Sequence, residues 1–207
     1  EAFLERYNIE KETNLIELAR IYYEPMAIYS EKIRNLAEVP KKAKIAVPNN
    51  PTALAQSLLL LQAEGLLTLM SDADLTAIPD DVADNPKELQ IVPMDEEEII
   101  NSMTEADLAI CHTGYGLNYA LDLEEELLVT ENSASMAAQK LSQILVVNEY
   151  PNEKAELLAE VLLSKEMLEF IETTYQGSIY MMDGKLAEIE VTPEKESEEE
   201  TKEDSVE

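Results

Sequence analysis

The stretch KIAVPNNPTALAQSLLLLQAEGLL, residues Lys44 to Leu67, constrains the fold more than any other part of the chain. Its first residues, Lys44 to Val47, form an apolar, β-prone run that reads as a buried strand. A tight turn follows. Asn50 is a candidate helix N-cap, Pro51 suits the first helical position and Gly65 suits the residue just past the end, which predicts a helix over Pro51 to Glu64. Leu54, Leu58 and Leu61 fall on one stripe of that helix and form its expected buried face.

A strand that turns directly into a helix is the unit of α/β architecture, and the chain supplies more such units. Strands are predicted at Leu18 to Tyr23, Leu89 to Val92, Leu108 to Ile110 and Ile144 to Val147. Helices are predicted at Asp95 to Met103, Glu153 to Leu163 and Lys165 to Tyr175, the last stopping before Gly177. The alternation points to an α/β protein with a largely parallel sheet. The opening EAFLERYNIEK reads as a charged amphipathic helix, and the segment Leu121 to Gln139 carries no clear period. No repeat of roughly 20 to 50 residues is visible.

Charge narrows the partners. The 207 residues include 44 acidic and 15 basic side chains, for a formal net charge of -29, so phosphate backbones and anionic lipid surfaces are repelled and nucleic acid is excluded as an expected partner. A 45% hydrophobic content still supports a folded body with sizeable cores. No segment reaches the roughly 18 apolar residues of a membrane span. Cys111 is the only cysteine, so no intramolecular disulfide is possible and the redox compartment is left open. From Pro193 onward, PEKESEEETKEDSVE has no apolar period and reads as a disordered acidic tail.

Candidate chemistry is sparse. Cys111 and His112 are adjacent, but neighbours on a strand point to opposite faces, so they do not form a thiolate dyad; the structural reading is a small buried thiol and a polar residue opening a loop. One His and one Cys lack the spaced partners of a zinc site, and no metal or cofactor is expected. The acidic run Asp95 to Glu98 reads as a helix start, where negative charge is favoured. Five glycines leave little material for a phosphate-binding loop. These features do not describe an enzyme. What remains is a pair of loops, VPNNPT and CHTGYG, each at the carboxyl end of a strand, where open α/β sheets hold their ligands.

These segments resemble the methionine-binding lipoproteins of the NlpA or MetQ-like family, the substrate-binding components of ABC importers. IAVPNNPTALAQSLLLLQAEGLL is similar to the family's strand, Pro-Asn-Asp-Pro-Thr turn and helix. YYEPMAIYSEKI and ILVVNE resemble its two crossover segments, DDVADNPKELQIVPM the middle of its second lobe, ADLAICHTGYGL its strand and ligand loop, and SKEMLEFIETTYQGS its closing helix. The likeness spans roughly Phe3 to Tyr180.

The resemblance implies a type II periplasmic-binding-protein fold with two α/β lobes, of which the first is incomplete in this chain and would expose core surface. It implies residues 1–25 as part of lobe one and the first crossover, 26–141 as lobe two, 142–192 as the second crossover and return, and 193–207 as the tail. It also implies an amino-acid-like ligand, a permease and ATPase complex as partners, and an extracytoplasmic location on a lipid anchor upstream of Glu1. The ligand residues implied are Tyr22, Asn50, Thr52, Gln56, Gly114, Tyr115 and Gln143.

Several of these depart from the family pattern. Where the family has Asn-Leu-Gly-Arg, this chain has Ala53, Leu54, Ala55 and Gln56, which removes the cation expected to pair with a ligand carboxylate. Asn-Gly-Asn-Tyr becomes His112, Thr113, Gly114 and Tyr115, Gln143 replaces an Asn, and Tyr22 stands in place of a His. A charge-assisted hydrogen bond is worth about 1.5 to 3 kcal/mol, so free methionine is expected to bind at least tens of times more weakly than in a relative with the Arg. Two readings follow: a receptor with altered ligand preference, or a repurposed scaffold acting through surface contacts.

Overall fold

Alternation of side-chain size along three apolar strands sets the layers of the molecule. In a computed structural model, which describes residues 2–118 and 125–182, helix α1 (Ala2–Lys11) leads into strands β1 (Ile16–Tyr23) and β2 (Met26–Tyr29). Strand β3 (Lys44–Pro48) runs into α2 (Pro51–Ala63), followed by the short strands β4 (Thr68–Leu69) and β5 (Val82–Asp84). Next come β6 (Gln90–Met94), α3 (Glu96–Ile99), β7 (Leu108–His112), α4 (Thr113–Asn118) and β8 (Leu127–Thr130). The described chain closes with α5 (Met136–Leu141), β9 (Gln143–Val147), α6 (Glu153–Leu162), α7 (Lys165–Tyr175) and β10 (Tyr180–Met181).

The central sheet has the order β6-β3-β7-β2-β8. Strands β6, β3 and β7 are parallel, and β2 is antiparallel to both β7 and β8, so β2 alone is reversed among the five. The expected largely parallel sheet is this one. A second sheet, β10-β1-β9, is antiparallel throughout, because the chain leaves that layer along β1 and returns along β9. The short strands β4 and β5 form a separate antiparallel pair.

On one face of the central sheet Met26, Ile28, Ile45, Val47, Leu108 and Ile110 pack against Leu58 and Leu61 of α2. The opposite face presents Ala27, Tyr29, Ala46, Ala109 and Cys111 to Ile99, Ile100 and Met103. Strands covered on both sides must be apolar at every position, and here, Tyr29 apart, the larger residues face the longer helix. The small sheet has its own core, where Leu18, Ile21 and Val147 meet Ala159 of α6. Leu157, Leu158 and Val161 of α6 and Leu168 and Phe170 of α7 remain exposed.

Helix α2 begins and ends as its sequence predicts. Asn50 Oδ1 accepts hydrogen bonds from the amides of Thr52 (3.1 Å) and Ala53 (3.3 Å), and Gly65 lies at φ +69°, the left-handed conformation that ends a helix without a Cβ penalty. Leu58 and Leu61 are fully buried and Leu54 packs at the edge of the same core. The predicted helix over Asp95 to Met103 is instead one α-turn, α3, that tightens into a 3-10 segment over Ile100–Thr104. Consecutive β-branched Ile99 and Ile100 disfavour a longer α-helix, and the Ser102 hydroxyl donates to the Ile99 carbonyl (2.7 Å), stabilising the tighter turn.

Several elements escaped the sequence reading. Strand β2 follows β1 after only Glu24 and Pro25, and β8 and α5 lie in the segment that showed no period. CHTGYG is also not a loop: Cys111 and His112 finish β7 and the next residues form α4. The expected acidic tail lies outside the described residues. Truncating the core and the cap separates their contributions. Leu58→Ala is expected to cost about 2 to 5 kcal/mol and Asn50→Ala about 0.5 to 2 kcal/mol, both read from urea unfolding midpoints.

Candidate ligand cleft

The carboxyl ends of β3, β6 and β7 all point the same way, and the residues that follow them converge. Between these ends and the small sheet lies a cavity of about 310 Å³ lined by Tyr23, Glu24, Gln56, Glu96, His112, Tyr115, Leu141 and Gln143. Tyr23 and Glu24 stand where the chain crosses from the small sheet, Gln143 begins the returning β9, and the other polar groups come from α2, α3, the end of β7 and α4. A larger groove of about 620 Å³ runs along α2, β8 and α5 past Leu60, Met136 and Tyr180. We place the site in the smaller cavity, because polar groups from several strand ends meet there, as ligand clefts of α/β sheets require.

Three of the expected ligand residues are brought together: Gln56, Tyr115 and Gln143 line the cavity. Tyr22 does not, since it packs with Leu145 and Met181 in the core of the small sheet, and strand alternation presents Tyr23 instead. Asn50 and Thr52 lie exposed at the start of α2, one turn from the cavity, with Asn50 serving as the cap. Gly114 sits behind the wall. Its amide donates to Glu24 Oε1 (3.1 Å), and a Cβ there would collide with the same oxygen, so the glycine permits this approach.

Gln56 is not a free donor awaiting a ligand. It is 2% exposed, and its Nε2 donates to the Tyr23 phenol oxygen (2.8 Å), which in turn donates to Glu131 Oε2 (2.5 Å). Glu131, itself buried, also accepts from the Met26 amide (3.3 Å) and, through Oε1, from the Ser135 hydroxyl (2.8 Å). Burial, followed by the charge and hydrogen bond of Glu131, pushes the Tyr23 phenol well above its ordinary range, so Tyr23 keeps its proton and serves as hydrogen-bond donor to the carboxylate.

On the other wall, Glu96 Oε1 accepts from both the amide (2.9 Å) and Nδ1 (2.6 Å) of His112, with the two side chains 18% and 25% exposed. Burial opposes charge on both groups, but the hydrogen bond and the charge attraction between them outweigh it: His112 is raised and Glu96 lowered from their ordinary values. Cys111 points to the opposite face of β7. It is fully buried, and burial first, then the charges of Glu96 and Glu24, push its thiol far up, which leaves no thiolate for nucleophilic chemistry.

Sequence reasoning did not select Tyr23, Glu24, Glu96, His112 or Leu141. Glu96 and His112 were recognisable only by position, at or just beyond strand ends; their residue types had an ordinary structural explanation. Among the described residues, no group of three or more His, Cys, Asp or Glu side chains is placed to hold a metal ion, and no helix is long and apolar enough to cross a membrane.

The Glu96–His112 pair predicts a pH profile. Glu96 contributes stability that is present above its ordinary value of 4.5 and lost as pH falls through its lower folded value. His112 contributes stability that is present below 6.5 and lost as pH rises through its higher folded value. The pair is therefore most stabilising between those two ordinary values. Proton NMR of the sole histidine is expected to titrate above 6.5, and Glu96→Gln is expected to bring it down and to flatten the stability profile.

Comparison with known proteins agrees with this architecture. Residues 1–182 match the model of the NlpA lipoprotein family. The chain is 32% identical over 135 residues to the D-methionine-binding lipoprotein MetQ of Salmonella typhi, covering 64% of this chain and 50% of that protein. It is 33% identical over 183 residues to Lipoprotein 28 of Escherichia coli, covering 84% and 64%. The chain thus spans about half to two thirds of the length of these relatives. Among solved structures, a nutrient binding protein from Burkholderia cenocepacia bound to methionine superposes with a TM-score of 0.68 at 27% identity, covering 86% of this chain and 75% of that one. A periplasmic substrate-binding protein of an ABC transporter from Coxiella burnetii gives 0.68 at 27% identity, covering 87% and 75%. With its reversed β2, its two crossover strands and its cleft at the strand ends, the chain has the type II periplasmic-binding-protein fold and belongs to the NlpA lipoprotein family.

Proposed function

We propose that this chain acts as the extracytoplasmic substrate-binding component of an ABC importer, taking methionine or a related amino-acid-like ligand into the cavity between the two sheets. The observation that carries this reading is convergence: Gln56, Tyr115 and Gln143 come from α2, α4 and β9 to one 310 Å³ space at the strand ends. A volume of this order suits a single amino acid. In this reading residues 1–25 and 142–192 serve the first lobe and the crossovers, residues 26–141 form the second lobe, and closure of the lobes presents the loaded protein to a permease and ATPase complex. A lipoprotein of this kind works outside the cytoplasmic membrane.

One observation favours a second reading, in which the scaffold no longer captures a ligand and acts through surface contacts. Gln56 stands where the resemblance implies an arginine, and its amide is spent on Tyr23. Thermal shift against free amino acids, short methionine peptides and neutral analogues separates the two. The receptor reading expects a rise in Tm with at least one compound, and no shift across the panel would support the scaffold.

The hydrogen-bond chain sharpens the mutational test. In Gln56→Arg the new guanidinium would lie one phenol away from Glu131, so it is expected to pair there and to leave methionine affinity within about threefold. Gln56→Arg combined with Glu131→Gln frees the cation and is expected to strengthen methionine binding at least tenfold by calorimetry, about 1.4 kcal/mol.

A further inference from the structure

We infer that the cleft selects ligands that carry an ammonium group and no free carboxylate, such as amino-acid amides or the corresponding simple amines. This rests on the receptor reading above and names the substrate class of that same cavity.

The argument is an inventory of the wall. Its eight lining residues include two carboxylates, Glu24 and Glu96, and neither lysine nor arginine. The hydrogen bonds that the described residues make to these carboxylates all reach Oε1: Gly114 N on Glu24, and His112 N and Nδ1 on Glu96. Oε2 of each accepts none from the described residues, so each carboxylate keeps acceptor capacity for a ligand donor. Several donors of the wall are already engaged by neighbouring groups, which leaves His112 Nε2, the Tyr115 hydroxyl and the Gln143 amide as the open ones among the described residues. The Gly114 amide is taken by Glu24, Gln56 Nε2 by Tyr23, the Tyr23 hydroxyl by Glu131, and His112 Nδ1 by Glu96.

Charge points the same way. When protonated, His112 balances Glu96, which leaves Glu24 at the lip and Glu131 one phenol beneath it as uncompensated negative groups. A ligand carboxylate entering this space meets like charge in a partly desolvated wall, whereas an ammonium meets two open acceptor oxygens. Tyr115, Gln143 and Leu141 remain to contact the neutral part of the ligand. The chemistry recognised is thus cationic at one end and uncharged at the other.

Calorimetry of the 207-residue chain with methionine, methioninamide and N-acetylmethionine, and with the same three forms of leucine, tests the inference. The expected order is amide tightest, free amino acid at least tenfold weaker, and the N-acetylated anion without measurable binding. Glu24→Gln and, separately, Glu96→Gln are each expected to weaken amide binding at least fivefold and to narrow its advantage over the free amino acid; two variants keep the test informative if one misfolds. Free methionine or leucine binding as tightly as its amide overturns the inference while leaving the receptor reading in place. An amide preference that survives in both folded variants also overturns it. No heat from any of the six compounds removes the receptor reading and this inference together.

Discussion

The buried carboxylate of Glu131 is the constraint on which the rest of the cleft depends. A carboxyl group removed from water must be hydrogen-bonded, and Glu131 collects its donors from β1 through Tyr23, from the first residue of β2 through the Met26 amide, and from the start of α5 through Ser135. Gln56 of α2 completes the chain behind Tyr23. One acidic group thereby ties the small sheet, the central sheet, α2 and α5 at the point where the chain crosses between layers. Each member polarises the next, so the set behaves as a unit rather than as separate contacts.

This arrangement also decides the electrostatics of the cavity. A cation at position 56 would lie one phenol away from a buried carboxylate, while a neutral amide satisfies Tyr23 without adding charge. Glu24 therefore acts with the buried group, whereas Glu96 is offset by His112 when that ring is protonated. In a partly desolvated space at an effective dielectric constant of about 20, unit charges about 4 Å apart interact by about 4 kcal/mol, more than the roughly 1 kcal/mol net of an ordinary hydrogen bond.

Much of the framework was legible from local pattern. The turn at Asn50–Pro51, the stop at Gly65 and the apolar stripe of α2 obey short-range rules, and the structure follows them closely. Strands β3, β7 and β9 are dense apolar runs and were equally plain. Strand β2 was hidden because it follows β1 with no turn sequence of hairpin type, and its fully apolar run reads as a continuation. The end of α3 was missed because the i to i+3 pattern of a 3-10 segment resembles that of a helix over so few residues. At the site, Gln56, Tyr115 and Gln143 were reached through family resemblance, whereas Tyr22 was chosen one residue away from the side chain that faces the cavity.

By itself the sequence determined the class of fold, the strand-to-helix units and the strong negative charge, because these are properties of composition and of contacts within a few residues; it also put a neutral glutamine at position 56. Tertiary structure decided what that glutamine does. Tyr23, Glu131 and Gln56 are separated by 108 and 33 positions along the chain, and their meeting depends on the crossover of β1 between sheets, which no local pattern encodes. The same holds for Glu96 and His112, 16 residues apart, which meet only because β6 and β7 flank β3 and end at the same edge. A residue's type is written locally; its partner is set by how the sheets are ordered.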